Sequence, residues 1–322
     1  MCGIVGIFGV WDQHNTYKTL EYLLKIDSIR GEDSTGVCSV FVNNEIQVVK
    51  ELGHAYDFLN YSSFYEETSF NKHTRKPAKL LLGHNRSTTV GATSIENAHP
   101  FTYGDITCVH NGTIYNHNNL TDTRFKVDSE AITYSLHING IHKTWKDIQG
   151  AAALAWWDAS NNSINLIRNK ERPLHFLLNK TNDRLVFASE KWMLDAVRIK
   201  NFFSDWAETI FIPNPHYLHS FTLANNKIIT KEEKIEGQKE YVPNLYSGYN
   251  FSVISYFKND KNKKKSNIVN KTIRCKTCNE PFESDDDKVS INASVHICDE
   301  CAELLDLLSI NQKTLDEWND IL

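Results

Sequence analysis

Apolar residues in the first 236 positions follow two spacings that alternate along the chain. Short runs rich in Ile, Val, Leu and Phe predict strands, and apolar residues three or four positions apart predict helices. The predicted strands are Cys2–Val10, Val37–Val42, Glu45–Val49, Leu80–Leu82, Ile106–Val109, Ala151–Asp158, Ile164–Arg168, Phe176–Leu178 and Arg184–Ala188. The predicted helices are Tyr17–Ile29, Ser129–His137, with Asp128 or Ser129 as its N-cap, and Glu190–Val197. Grouped strands with helices before and after them indicate an α+β fold of antiparallel sheets.

The chain divides into three predicted regions. Residues 2–236 form the main domain. Residues 237–271 join an aromatic stretch to a lysine-rich polar stretch, which predicts a strap followed by a linker. The strap either packs over the main domain or is flexible. Residues 272–322 hold four of the seven cysteines, which predicts a small C-terminal domain.

Composition excludes several classes of protein. The chain has 322 residues, 41% of them hydrophobic, which suffices for a large core. It has neither an apolar run long enough to cross a membrane nor a basic and apolar leader at its start. The net charge of -5 gives no general attraction to nucleic acid or to an anionic membrane. We therefore expect a cytoplasmic protein with no membrane contact.

Cys2 directly follows Met1 and is the first candidate for chemistry. Removal of Met1 would place a thiol and a free α-amine on one residue, which is a nucleophile with its own base. Such an amine has a pKa of roughly 7.7–8.0, so it can accept and return a proton near neutral pH. The structural alternative is a cysteine that merely begins a buried strand.

Five motifs follow one another in a fixed order. They are Cys2-Gly3-Ile4, Arg30-Gly31-Glu32-Asp33-Ser34-Thr35-Gly36, Gly83-His84-Asn85-Arg86-Ser87-Thr88-Thr89, the pair Asn97-Ala98-His99-Pro100 and His110-Asn111-Gly112, and Asp128-Ser129-Glu130. Together they resemble the class II glutamine amidotransferases, over roughly residues 2–236. The spacing is most similar to the glutaminase half of glucosamine-6-phosphate synthase, and is also similar to amidophosphoribosyltransferase and asparagine synthetase.

The resemblance implies a four-layer αββα sandwich of the N-terminal-nucleophile hydrolases. It implies that Cys2 attacks the side-chain amide of glutamine and forms a thioester. The roles that it implies for the other residues are an oxyanion hole (Asn111 and Gly112), a partner for the substrate α-carboxylate (Arg86), a partner for the α-ammonium (Asp128), a pocket floor (Thr89) and a loop that packs against the nucleophile beside the substrate (Arg30 and Gly31).

Each motif also has a plain structural interpretation. Arg30-Gly31 is typical of a helix C-cap, Asn111-Gly112 of a hairpin turn, and Asp128 of a helix N-cap. We expect His99 and His110 to be structural, and likewise the segments 168–174 and 187–190. Asn85 and Val90 stand where the sugar-phosphate synthases usually have threonine and histidine. Because of the departure at Val90, the inter-domain signalling of those enzymes is not implied, whereas the hydrolytic residues are unaffected.

The C-terminal cysteines form two C-x2-C pairs separated by nineteen residues. They are Cys275, Cys278, Cys298 and Cys301. This spacing predicts a structural Zn²⁺ site with four thiolate ligands, known as a zinc ribbon. Residues 274–322 carry twelve acidic and four basic side chains. Because a phosphate backbone would be repelled, we expect the ribbon to bind a protein and not nucleic acid.

The leading functional hypothesis is hydrolysis of L-glutamine, with ammonia passing to an acceptor on a separate partner protein. No phosphate-cradling loop, sugar-phosphate isomerase region or ATP pyrophosphatase motif is present in the sequence. One alternative is a hydrolase of another γ-glutamyl compound. The other is a catalytically silent scaffold that binds partners through the zinc ribbon.

Overall fold

The computed structural model describes residues 2–9, 13–60, 77–88, 91–200, 205–207 and 209–237, with four short strands between residues 273 and 297. The helices are α1 (Gln13–Asp27), α2 (Ala55–Asn60), α3 (Asp128–Asp147) and α4 (Lys191–Lys200). The strands of the main domain are β1 (Gly3–Gly9), β2 (Ser34–Phe41), β3 (Ile46–Leu52), β4 (Ala78–Arg86), β5 (Phe101–Tyr103), β6 (Ile106–Ile114), β7 (Gly150–Asp158), β8 (Ser163–Arg168), β9 (His175–Leu178), β10 (Arg184–Ala188), β11 (Tyr217–Ala224) and β12 (Lys227–Lys234).

These strands form two six-stranded sheets. The first has the order β3-β2-β4-β1-β10-β9, and the second has the order β12-β11-β8-β7-β6-β5. The neighbouring strands pair antiparallel throughout both sheets. Strand β1 therefore lies in the middle of the first sheet, between β4 and β10, which buries its backbone on both edges.

Successive side chains of β1 point to opposite faces of the first sheet. Val5 and Ile7 pack with the apolar face of α1 and with α4. Ile4 and Phe8 pack in a second cluster with apolar side chains of the other sheet. A third cluster lies between the second sheet and α3. The layers are thus helix, sheet, sheet and helix, and the predicted two-sheet antiparallel α+β fold is confirmed for the main domain.

The sequence patterns did not predict some of the elements and predicted ranges that are too short for others. Strands β11 and β12 were not predicted. β12 is mostly exposed, and Ile228 is its one buried residue, so its sequence has no apolar pattern typical of a strand. Strands β4 and β6 are longer than predicted, and α3 continues to Asp147. The predicted N-cap of α3 was wrong, since Val127 occupies that position and its extended backbone precedes the helix.

The C-terminal region contains two short antiparallel strand pairs. β13 (Ile273–Arg274) pairs with β14 (Pro281–Phe282), and β15 (Val289–Asn292) pairs with β16 (Val295–Ile297). β13 and β16 also lie close to each other. The four cysteines predicted to bind zinc lie outside the described residues, as do most of the predicted strap and linker.

Candidate active site

Cys2 lies at the start of β1, on the face of the first sheet that is directed at the second. Its thiol is buried, with 8% of the residue exposed, and donates a hydrogen bond to the carbonyl oxygen of Ser87 at 3.3 Å. Burial raises the pKa of the Cys2 thiol, while a backbone hydrogen bond from Ser87 and the charges of Arg86 and Arg30 oppose that rise. The thiol therefore needs a nearby base before it can act as a nucleophile.

Arg30 and Gly31 fix the backbone around Cys2 and do not line the cavity beside the thiol. The Nε of Arg30 donates to the carbonyl oxygen of Cys2 at 3.1 Å, and its Nη1 bonds to Glu190. Gly31 packs so closely on Arg86 that an added Cβ would lie 2.5 Å from the Arg86 carbonyl carbon. We therefore interpret both as positioning residues, in place of the substrate contact that the motif predicts. The C-cap interpretation holds only in part, since Gly31 caps a short 3₁₀ turn, Ser28–Arg30, with extended backbone.

Arg86 ends β4 beside the nucleophile. It is 4% exposed, and its Nη1 donates to the carbonyl oxygen of Ala92 at 3.3 Å. Burial lowers the pKa of Arg86, and the negative charges of Asp33 and Asp128 oppose that effect. A buried guanidinium of this kind offers a planar fork to a carboxylate.

Asp128 is the first residue of α3 and is tied to β6. Its Oδ2 accepts the backbone N–H of Ile114 at 2.9 Å, and its Oδ1 accepts the N–H of Ser129 at 3.0 Å. These bonds hold a buried carboxylate at the start of a helix, where the helix dipole also favours a negative charge.

Asn111 and Gly112 lie inside β6 and do not form the hairpin turn that their sequence also allows. Asn111 pairs with Ala153 and Gly112 with Ala152 across the strand boundary. The Nδ2 of Asn111 donates to the hydroxyl of Ser189 at 3.5 Å. A Cβ on Gly112 would lie 1.9 Å from the carbonyl oxygen of Ala151, so this position requires glycine.

One cavity brings the main candidates together. Cys2, Arg86, Gly112 and Asp128 all line it. Asn111 is buried directly before Gly112 on the same strand, whereas Thr89 lies outside the described residues. A thiol, a cation, an anion and a glycine backbone therefore converge on one cavity, which is a combination of groups that matches a zwitterionic amino acid beside a nucleophile.

Other residues of the cavity wall were not predicted as site residues. They are Ser87, Asn97, His99, His110, Val127 and Ser129. Of these, His110 shares a hydrogen bond between its Nδ1 and the hydroxyl of Ser129, at 3.0 Å. The ring of His99 packs on that of His84, with the ring centroids 3.9 Å apart. Burial lowers the pKa of all three histidines, to about 3 for His84, so they are neutral near pH 7. The sequence feature that could have predicted these cavity residues is the presence of His99 and His110 in the motifs, but a sequence alone does not show that a histidine faces a cavity.

Comparison with known proteins agrees with this geometry. Residues 84–196 match the family model described as a glutamine amidotransferase domain, and that span includes Arg86, Asn111, Gly112 and Asp128. This match supports the expected class of enzyme, a class II glutamine amidotransferase. Among the described residues, no helix is both long and apolar enough to cross a lipid bilayer.

Similar sequences are glutamine–fructose-6-phosphate aminotransferases. The one from Wigglesworthia glossinidia brevipalpis is 33% identical over 145 residues, which are 42% of this chain and 22% of that protein. The probable enzyme from Acanthamoeba polyphaga mimivirus is 26% identical over 73% of this chain and 39% of that protein. The one from Bacillus subtilis is 32% identical over 54% and 30%, respectively. This chain thus spans between about a fifth and two fifths of the length of these relatives.

Solved structures share the fold. The glutamine phosphoribosylpyrophosphate amidotransferase from B. subtilis, complexed with ADP and GMP, superimposes with a TM-score of 0.53 at 19% identity, covering 73% of this chain and 49% of that one. An allosteric regulatory enzyme of purine biosynthesis gives a TM-score of 0.54 at 20% identity over the same shares. At these identities the likeness establishes the fold of the amidotransferase domain and nothing more.

Proposed function

We propose that this protein hydrolyses the side-chain amide of L-glutamine through a thioester on Cys2. The observation that carries the proposal is the single cavity lined by Cys2, Arg86, Gly112 and Asp128. In the first step the thiol proton moves to a base, and Sγ forms a bond to the amide carbon of glutamine. The tetrahedral intermediate then collapses, the C–N bond breaks, and the nitrogen leaves as ammonia after it takes up a proton. Water attacks the thioester and releases glutamate and the thiol.

The base in this scheme is the α-amine of Cys2, which requires removal of Met1. Burial raises the thiol pKa, so a proton acceptor on the same residue matters more here than it would in water. The histidines of the cavity are poor candidates for this role, because their lowered pKa makes them weak bases.

Arg86 and Asp128 supply the specificity in this proposal. Arg86 ends strand β4 and Asp128 begins helix α3, and the two oppositely charged side chains both line the cavity. A free amino acid presents a carboxylate and an ammonium that match this pair, whereas a glutamine within a peptide presents neither. Asn111 and Gly112 would donate to the oxyanion, a kind of interaction whose loss typically raises the barrier by about 2.7–4 kcal/mol.

Glutamate release by the purified chain tests the proposal directly. We expect Cys2→Ala to abolish release, while Cys108→Ala, which also removes a buried thiol, keeps activity within a few-fold. The Cys108 thiol is a suitable control because it is buried between α3 and the second sheet, away from the cavity. Retained activity in Cys2→Ala would show that the nucleophile is misassigned.

Two further measurements separate the alternatives. Mass spectrometry of the N-terminus should show Cys2 as the first residue, whereas an intact Met1 would favour the silent scaffold. Preference for γ-glutamyl amides over glutamine would favour the other hydrolase. Because the chain spans only part of its relatives, the ammonia acceptor is a separate proposal: we assign it to a partner protein, which a pull-down with the full chain from native lysate would recover.

We further propose that the four C-terminal cysteines bind one Zn²⁺ in a structural ribbon. The support in the fold is that β13 and β16 lie close together and end directly before Cys275 and Cys298. In the sequence, one cysteine of each C-x2-C pair directly follows one of these two neighbouring strands, which is compatible with a site made of two such pairs. Zinc would stabilise this small region, and the acidic residues of the region would bind the partner protein.

A further inference from the structure

Asp27, at the C-terminal end of α1, is a fully buried carboxyl group that the proposed reaction does not use. Its Oδ2 accepts a hydrogen bond from the Nδ2 of Asn85 at 3.0 Å. Its Oδ1 has no hydrogen-bond partner within the described part of the chain. Burying an oxygen of this kind without a partner costs free energy, so its retention calls for a physical reason.

The unpartnered oxygen lies directly against the strand that carries the nucleophile. A Cβ added at Gly3 would come within 1.7 Å of Asp27 Oδ1, so only glycine fits there. Gly3 is also the register partner of Asn85 in the β1–β4 pair. Asp27 therefore contacts two neighbouring strands at the same level of the sheet.

The residues next to this pair form the site. Cys2 precedes Gly3 and Arg86 follows Asn85, and both line the cavity on the opposite face of the sheet. Only the backbone of β1 separates the two faces of the first sheet at this point. The carboxyl of Asp27 and the thiol of Cys2 thus lie on the two faces of one short segment of β1.

The charges on this side of the sheet are few. Arg30 lies with its Nε 4.0 Å from Asp27 Oδ1, and the same guanidinium bonds to Glu190 and to the Cys2 carbonyl. The charges of Glu190 and of the chain's terminal amine also act on Asp27, and the first raises its pKa while the second lowers it. Burial raises the pKa of Asp27 to about 7, against the opposing charge of Arg30 and the hydrogen bond of Asn85. Burial also raises the pKa of Glu190, but its direct bond to the Arg30 guanidinium opposes that rise. Asp27 lacks such a bond, and its pKa is the one that reaches neutral pH.

We propose that Asp27 is a positioning residue of the amidotransferase site, which supports Cys2 through Gly3 and Arg30 and makes the reactivity of its thiol depend on the charge of this carboxyl. The inference rests on the proposed function only for its kinetic readout. When Asp27 is ionised, its negative charge disfavours the thiolate and favours the protonated amine of Cys2. When it is protonated, both effects disappear. Asn85 completes the arrangement, since its amide fixes the carboxyl through Oδ2 and its Oδ1 accepts a hydrogen bond from Thr35 at 3.1 Å.

The test is the rate at which iodoacetamide alkylates Cys2, followed by mass spectrometry of the Cys2 peptide between pH 6 and 9. Asp27→Asn keeps the shape of the side chain and removes its charge. We expect the midpoint of the alkylation profile to fall by roughly half to one pH unit relative to the wild-type chain. The pH profile of kcat for glutamate release should move to lower pH by a similar amount, with little change in KM, because removal of the negative charge favours both the thiolate and the free amine of Cys2. Asp195→Asn, a carboxylate paired with Lys191 and Arg198 on α4, is the matched control and should change neither readout.

Asn85→Thr provides a second variant if Asp27→Asn does not fold. It removes the donor to Oδ2, which raises the pKa of Asp27 further, so the alkylation midpoint should move in the same direction. An alkylation profile of either variant that coincides with that of the wild-type chain would overturn the proposal. A shifted profile in a chain that releases no glutamate would support this proposal and would refute glutamine hydrolysis instead.

Discussion

The hydroxyl oxygen of Ser189 accepts a hydrogen bond from the backbone N–H of Ile4 at 2.9 Å. A second hydrogen bond joins the same two residues, because the backbone N–H of Ser189 donates to the Ile4 carbonyl oxygen at 2.8 Å. The same hydroxyl also accepts from the Nδ2 of Asn111 on the other sheet. One buried side chain therefore connects the strand of the nucleophile to the residue expected to stabilise the oxyanion.

We predict that Ser189→Ala lowers kcat for glutamate release by roughly tenfold and leaves KM within about twofold. The reason is that the Asn111 amide loses its acceptor and no longer points reliably at the oxyanion, an interaction made in the transition state. Substrate binding through Arg86 and Asp128 is untouched. The Michaelis parameters of the variant check this, with Ser160→Ala, an exposed serine in the turn after β7, as the control. A raised KM with unchanged kcat would contradict the role given to Ser189.

The sequence predicted the site more fully than it predicted the contacts that hold it. Cys2, Arg86, Gly112 and Asp128 could be named from ordered motifs, and the structure places them on one cavity. The role of Ser189 could not be predicted, because it depends on β10 lying beside β1 and on the two sheets facing each other. Those are long-range pairings, which local propensity does not encode.

The elements of the fold also fall into those that the sequence predicts and those that only long-range pairing defines. Strands buried on both faces, such as β1 and β7, stand out as continuous apolar runs and were predicted nearly to their ends. The edge strand β12 is polar over most of its length, so only its pairing with β11 defines it. Similarly, Asn111-Gly112 has the composition of a turn, and only its register against β7 shows that it continues a strand.

Arg86→Lys should raise the KM for glutamine by roughly ten- to a hundredfold, with a smaller effect on kcat. Lysine keeps the positive charge but loses the planar fork that binds a carboxylate through two hydrogen bonds. Such charge-assisted bonds contribute about 1.5–3 kcal/mol each. The measurement is a glutamine titration of initial rates, with Arg184→Lys, which pairs with Asp205 on the outside of the domain, as the control. Equal KM values for Arg86→Lys and the wild-type chain would remove Arg86 from the substrate site.

Metal analysis of the purified chain should give one zinc per chain, and Cys278→Ser should reduce that content strongly. Loss of one of four thiolates opens a site that is closed in structural zinc proteins. Glutamate release should stay within about twofold, because the described residues that line the cavity all belong to the main domain. Atomic absorption together with the activity assay tests both statements. Full zinc content in Cys278→Ser would refute the four-thiolate site, and iron in place of zinc would correct the metal.

The buried histidines should make the protein sensitive to acid. Burial lowers the pKa of His84 to about 3 and of His175 to about 4, and lowers that of His99 well below its usual range. The unfolded chain therefore binds protons near pH 6.5 that the folded chain refuses, so stability decreases as the pH falls from about 6.5 towards 4. Asp27 acts in the opposite direction, since its raised pKa favours the folded state as the pH falls below 7.

The buried histidines with lowered pKa outnumber the carboxyl groups with raised pKa, Asp27 and Glu190, so we predict a net loss of thermal stability between pH 6.5 and 5. His99→Phe should reduce this loss, because neither ring nitrogen of His99 has a hydrogen-bond partner in the described part of the chain and its ring packs edge-on against Phe101. An apolar ring there removes the titrating group without leaving a broken hydrogen bond. Thermal unfolding at a series of pH values measures the effect, with His142→Phe, an exposed histidine beside Glu233, as the control. If the melting temperatures of His99→Phe and the wild-type chain fall in parallel below pH 6.5, the acid sensitivity does not originate at His99.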